Sequence, residues 1–212
     1  MHAAVTKPPS TEPIRTRQTG GNSRNLKTFN PFLPGPWLPE IPWETRVTLP
    51  ILLDIEASGF GRGSYPIEIG LARTDGSSCA FLIQPLEEWV HWDPKAELLH
   101  GISRARLARE GRPVREVAQW INDELSETRI AYSDSWGYDN TWLSLLFHHA
   151  GMLPHFRLEA LRRLLDEEQL NRWAELKEAV IAEGGIQRHR AGDDARLLQL
   201  TWQKAQAIER ND

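Results

Sequence analysis

Apolar and polar positions follow two different regimes along this chain. Residues 1–30 are polar, rich in Thr, Ser, Asn and Gly, and have no hydrophobic period; such a segment is expected to be disordered. Residues 31–45 place prolines at 31, 34, 36, 39 and 42 among Phe32, Trp37 and Trp43. This spacing forbids helix and central strand and predicts extended polyproline geometry. The segment reads either as a linker that folds back on the domain or as a docking site for a protein partner. From Arg46 the texture changes, and residues 46–212 read as one folded domain.

Within that domain the periods assign elements. Val47–Ile55 is an apolar, β-branched run, which predicts a buried strand. Ile67–Arg73 and Ser78–Gln84 read as two further strands joined through Asp75-Gly76, a hairpin turn signal. Pro113 opens a helix with Val114, Val117, Ile121 and Leu125 on one face. A short strand is predicted over Arg129–Ser133, with helices over 138–150, 159–183 and 191–209. Strands first, then strand and helices in alternation, indicate a mixed α/β sheet covered by helices.

Composition narrows the class. The chain has 212 residues, 40% apolar and 25% charged, a globular balance that excludes a wholly disordered or fibrous protein. The single cysteine, Cys79, allows no internal disulfide. No stretch approaches the ~20 apolar residues of a membrane span, and a secretory signal is lacking, so a cytoplasmic location with no membrane partner is expected. Residues 1–30 carry five basic side chains and one acidic. Pro8, Pro9 and Pro13 spoil an amphipathic helix there, which favours a plain tail over an import signal. The net charge of −4 argues against a surface that grips nucleic acid all over.

Carboxylates stand where they are least expected. In Leu52-Leu53-Asp54-Ile55-Glu56, strand alternation projects Asp54 and Glu56 from the same face, at the end of the most apolar run. Two adjacent acids repel, and burying either alone costs several kcal/mol. They sit either at a wet strand end or around a hard divalent cation bound through oxygen. In a helix over 191–209, Asp194 shares the apolar stripe of Ala191, Ala195, Leu198, Trp202 and Ala205 and so points inward. His189 lies just before that helix and is a candidate general base, because an imidazole titrates near neutrality. Asp139, in the first turn of the helix bearing Trp142, Leu143, Leu146 and Phe147, either complements the helix dipole or joins the same site. Three separated segments thus offer acids to one sheet edge, the arrangement of a two-metal phosphoryl-transfer site.

Taken together, these residues resemble the DEDDh, or DnaQ-like, 3′–5′ exonucleases. Asp54-Ile55-Glu56-Ala57-Ser58-Gly59-Phe60 matches the first motif and Pro66-Ile67-Glu68-Ile69-Gly70 the strand after it. His100-Gly101-Ile102 matches the short element after the third strand, and Tyr138-Asp139 the aromatic-Asp pair of the second motif. His189-Arg190-Ala191-Gly192-Asp193-Asp194-Ala195 matches the third motif, with His and Asp five apart. The resemblance implies a ribonuclease-H-like fold with a mixed five-stranded sheet flanked by helices. It implies that Asp54, Glu56, Asp139 and Asp194 hold two Mg²⁺ or Mn²⁺ ions and that His189 deprotonates the attacking water. It implies hydrolysis of single-stranded DNA or RNA from the 3′ end into nucleoside 5′-monophosphates. Ser58, Gly59, Phe60, His100 and Ser135 fall at positions that approach substrate; an aromatic ring at Phe60 can stack on or wedge beside a base. Ser135 departs from the family pattern, which has Asn there. The resemblance also admits a homodimer, a tethered proofreading or processing subunit, and a non-catalytic binding module on the same fold. Two bound divalent cations would add +4 where phosphates must sit, so the acidic balance does not exclude this substrate.

Overall fold

The computed structural model describes residues 48–208. The expectations for residues 1–45, a disordered tail and then a linker or docking segment, lie outside that span.

Five strands, β1 (Leu52–Ala57), β2 (Pro66–Ala72), β3 (Ser78–Leu82), β4 (Ile130–Ser133) and β5 (Arg157–Ala160), form one sheet in the order β3-β2-β1-β4-β5. The β1–β2 and β2–β3 pairs are antiparallel, whereas β4 runs parallel to both β1 and β5. Six helices surround it: α1 (Pro94–His100), α2 (Arg104–Glu110), α3 (Val114–Glu124), α4 (Trp136–Ala150), α5 (Glu167–Glu183) and α6 (Ala191–Gln206). This is the mixed five-stranded α/β architecture that the motifs imply.

Strand alternation builds the two layers. Leu53 and Ile55 of β1 join Ile67, Ile69 and Leu71 of β2 in a core closed by Val117 and Ile121 of α3 and Leu143 and Leu146 of α4. The opposite faces of the same strands, Leu52 and Ala72, pack with Ala195, Leu198 and Trp202, the stripe expected for α6. The hairpin forms as read: Gly76 takes φ +85°, a conformation glycine adopts without steric cost, and Arg73 N–H donates to Ser77 O at 2.8 Å.

Several boundaries differ. The first strand begins at Leu52, past Pro50, which has no N–H to give a ladder; the expected start at Val47 lies outside the described residues. The helix expected over 159–183 is three elements: β5, a 3₁₀ turn at Leu161–Leu164, and α5. Arg157-Leu158-Glu159-Ala160 has helix-forming composition, but pairing with β4 overrides that preference. A capping box then starts α5 afresh, with Asp166 and Gln169 each bonding the other's backbone N–H. The seven-residue α1 and α2 carry no period long enough to read, although Asp93 and Ser103 cap them from side-chain oxygens.

One contact places the functional end of α6. A Cβ on Gly70 would lie 2.2 Å from Ala191 C and Gly192 N, so only glycine lets the helix start touch β2. Gly70→Ala is therefore expected to cost ~3 kcal/mol or more and to lower Tm by about 6–12 °C in thermal unfolding. A shift below about 2 °C would show that the approach is not tight.

Candidate active site

The β1 register explains how the acids meet. Asp54 lies opposite Gly70 and Glu56 opposite Glu68, on the sheet face that receives the α6 N-terminus. Asp54 and Glu56 thus point at the first turn of α6, where Asp194 sits. A cleft of about 340 Å³ opens there, lined by Asp54, Glu56, Asp139, Asp194 and His189. All five candidate catalytic residues are brought together. One ligand atom from each of Glu56, His189 and Asp194 lies within 4.8 Å of the others; Asp54 and Asp139 share the cleft but stand outside that triple.

The third-motif backbone is tightly held. Glu68, 1% exposed, accepts from Arg190 Nε at 3.0 Å, from Arg190 Nη2 at 2.5 Å and from Ala191 N–H at 2.9 Å. A bidentate guanidinium and a helix-start amide satisfy this buried carboxylate completely. His189 takes φ +63°, a left-handed conformation unfavourable for a residue with a Cβ. Its N–H donates to Asp194 Oδ2 at 2.7 Å, and Arg188 Nε donates to Asp194 Oδ1 at 3.2 Å. The strained residue is thus fixed on both sides.

The remaining acids have no cation. Among the described residues, Asp54, Glu56 and Asp139 form no ion pair, while Arg188, Arg190 and Lys177 are taken by Asp194, Glu68 and Asp134. Burial and then Asp139, Glu56, Asp194 and Asp134 hold the Asp54 carboxyl well above its ordinary range. Burial, then Asp194 and Glu68, push Glu56 up to about 7 against the opposing pull of Arg190. Burial also raises Asp139 to about 7, although hydrogen bonds from Ser133 Oγ and the Ile55 backbone act the other way. Clustered oxygens lacking positive charge are a donor set suited to hard divalent cations.

The candidate substrate positions separate. Gly59, Phe60, His100 and Ser135 line the cleft. Phe60 is 65% exposed and meets Tyr138 edge-on at 5.1 Å, while Tyr138 stacks on Trp142 at 5.7 Å. His100 is buried, its Nδ1 accepts from Ile102 N–H at 3.0 Å, and its Nε2 has no partner among the described residues. Ser58 is buried away from the cleft. Its Oγ accepts from Tyr65 N–H at 3.1 Å and bonds His91 Nδ1 at 3.0 Å. Asp93 N–H donates to Ser58 O at 2.8 Å, and a Cβ on Gly59 would lie 2.5 Å from Asp93 Cβ. The loop before α1 therefore props the first motif from behind.

Sequence reasoning did not find Leu99, Arg188 and Lys177 in the cleft wall. Leu99 lies on a helix too short to show a period. Nor did it give Tyr138 a contact of its own, although that residue was quoted in the second motif.

Comparison with known structures shows the fold: the ribonuclease-H-like α/β arrangement is shared with exonuclease I and with a 3′-exonuclease. Exonuclease I of Methylocaldum szegediense superposes with a TM-score of 0.55 at 16% identity, over 73% of this chain and 39% of that one. Exonuclease I of E. coli in complex with a dA16 oligonucleotide gives 0.53 at 13%, over 76% and 41%. A 3′-exonuclease that recognises the 3′ end of the histone mRNA stem-loop gives 0.55 at 13%, over 75% and 64%. The chain thus spans about two fifths of either exonuclease I, and at these identities the likeness is one of fold. No protein-family model and no curated protein matches the sequence. No helix among the described residues is long and apolar enough to cross a membrane.

Glu56 and Asp139 keep their protons to higher pH in the folded state than in the unfolded one. Folded protein therefore binds more protons between about pH 4 and 7, and these groups lower its stability as pH rises through that window. A cation that binds only the ionised acids offsets this loss. Added Mg²⁺ or Mn²⁺ is expected to raise Tm by ~4 °C or more at about pH 8 and by clearly less at about pH 5, in differential scanning fluorimetry. Equal shifts at both pH values, or none, would contradict this account of the acids.

Proposed function

We propose that this chain is a metal-dependent 3′–5′ exonuclease that removes nucleoside 5′-monophosphates from single-stranded DNA or RNA. The observation that carries the reading is the convergence of Asp54, Glu56, Asp139 and Asp194 with His189 on one cleft, the first three acids having no ion-pair partner among the described residues. The shared fold with known 3′ exonucleases supports it.

Asp54, Glu56, Asp139 and Asp194 would hold two Mg²⁺ or Mn²⁺ ions. Such a pair, when bound, supplies charge stabilisation to both the attacking and the leaving oxygen and acidifies water. The chain's own residues do the rest. A His189 ring nitrogen lies within 4.8 Å of carboxylate oxygens of Glu56 and Asp194, which supports a role for it in accepting the proton of the attacking water. The Glu68 carboxylate, gripping the Arg190 guanidinium and the Ala191 amide, holds the backbone next to His189 without help from substrate. Water oxygen bonds to the terminal phosphorus, the bond to the upstream 3′ oxygen breaks, that oxygen takes up a proton from solvent to become the new 3′-hydroxyl, and the phosphate leaves on the 5′ oxygen of the released nucleotide.

Phe60, edge-on against Tyr138, offers an exposed aromatic pair for the terminal base. Gly59 lets the chain pass close to Asp93, and Gly59 and His100 line the cleft where a terminal nucleotide would contact them. Ser135 stands beside the strand path, and Ser58 acts behind the motif by fixing its turn.

A 5′-labelled oligonucleotide incubated with Mg²⁺ or Mn²⁺ is expected to give a stepwise ladder, lost in Asp54→Ala and in chelator. No metal-dependent shortening of either DNA or RNA would refute the reading. His189→Ala is expected to lower kcat by about 10²–10⁴ with little change in substrate affinity. Parallel loss of binding would mean that His189 holds substrate instead.

A further inference from the structure

A second groove, of about 500 Å³, opens off the cleft and shares Asp134, Ser135 and Tyr138 with it. Trp136, Arg162 and Trp173 complete the part of its wall that matters here. It runs from the start of α4 to the 3₁₀ turn after β5 and to α5.

Trp136 is the unusual residue. It is 43% exposed, in the first turn of a helix, where a large apolar ring has no capping role. Its indole N–H nevertheless donates to Leu158 O at 2.7 Å. The polar end of the ring is satisfied and its plane is fixed, while much of its surface stays open to water. A rigid aromatic surface at the mouth of a groove suits a flat partner, and a nucleobase is such a partner whatever its identity.

The charges agree. Asp134, the acid of this groove, is neutralised by Lys177 at 3.0 Å. Arg162 makes no side-chain hydrogen bond or ion pair among the described residues. The groove thus pairs an open ring with an uncommitted guanidinium, the combination that binds a base and a phosphate, and it lies next to a cleft whose own surplus charge is negative.

We infer that the strand 5′ of the terminal two nucleotides leaves the cleft past Ser135 and Tyr138 and enters this groove, with the base of the third nucleotide from the 3′ end on Trp136 and a phosphate on Arg162. The inference rests on the exonuclease reading and specifies its substrate. The preferred strand is unpaired for at least one nucleotide beyond the terminal two, since a base within a duplex has no open face to offer Trp136.

Rates on hexamers and dinucleotides of thymidylate and uridylate test this. Wild type should favour the hexamer in kcat/KM, and Trp136→Ala should cut the hexamer-to-dinucleotide preference about tenfold. Trp136→Phe, which keeps a ring, should retain most of the preference. Arg162→Gln, at an exposed position, should reduce the slope of log affinity for the hexamer against log salt by about 0.7. An unaltered preference in Trp136→Ala together with an unaltered salt slope in Arg162→Gln overturns the inference. If no substrate is cut, the exonuclease reading fails, and the groove is judged separately by anisotropy of the labelled hexamers. About tenfold weaker binding by folded Trp136→Ala upholds it as a strand site, whereas binding equal to wild type, as for a groove that takes a protein segment, overturns it.

Discussion

The site depends on how closely the N-terminus of α6 seats on β2. Gly70 removes the side chain that would hold the helix off, and Glu68, two residues away on the same face of β2, grips Arg190 and the Ala191 amide. These contacts bring Asp194 over Asp54 and Glu56 and hold His189 in a backbone conformation it would not adopt alone. Removing one partner of such a buried pair typically costs 3–5 kcal/mol, because the other charge is left uncompensated. Packing and chemistry therefore share one contact, and the helix cannot shift without moving two of the five candidate catalytic groups.

A second consequence is electrostatic. Arg188, Arg190 and Lys177 are already paired with Asp194, Glu68 and Asp134, which leaves Asp54, Glu56 and Asp139 to repel one another in a partly buried space. Protons relieve that conflict below neutrality, and divalent cations are suited to relieve it above. The acids that would bind metal thus also destabilise the metal-free protein, so metal binding and fold stability are coupled through the same carboxylates.

Much of this was legible in the sequence, for identifiable reasons. Asp54 and Glu56 stood out because strand alternation put two acids on one face of an apolar run. Asp194 stood out because it interrupts the stripe of Ala191, Ala195, Leu198 and Trp202. Asp139 was ambiguous by pattern, since an acid in a first turn also complements the helix dipole, and only the motif singled it out. β5 was illegible because Arg157-Leu158-Glu159-Ala160 favours helix locally and becomes a strand through pairing with β4. Ser58 shows a further limit: its place in the motif suggests a substrate contact, yet its hydroxyl is spent on Tyr65 and His91. The support from Asp93 and the open ring of Trp136 depend on tertiary placement that no local period encodes.

In the proposed reaction this cleft hydrolyses the terminal phosphodiester and leaves the phosphate on the released nucleotide. Digestion of a short single-stranded oligonucleotide in water enriched in oxygen-18, with Mg²⁺ or Mn²⁺, tests it most directly when the products are weighed by mass spectrometry. The account predicts nucleoside 5′-monophosphates, each carrying one labelled oxygen, released from the 3′ end. Nucleoside 3′-phosphates, internal fragments or unlabelled monophosphates would contradict it.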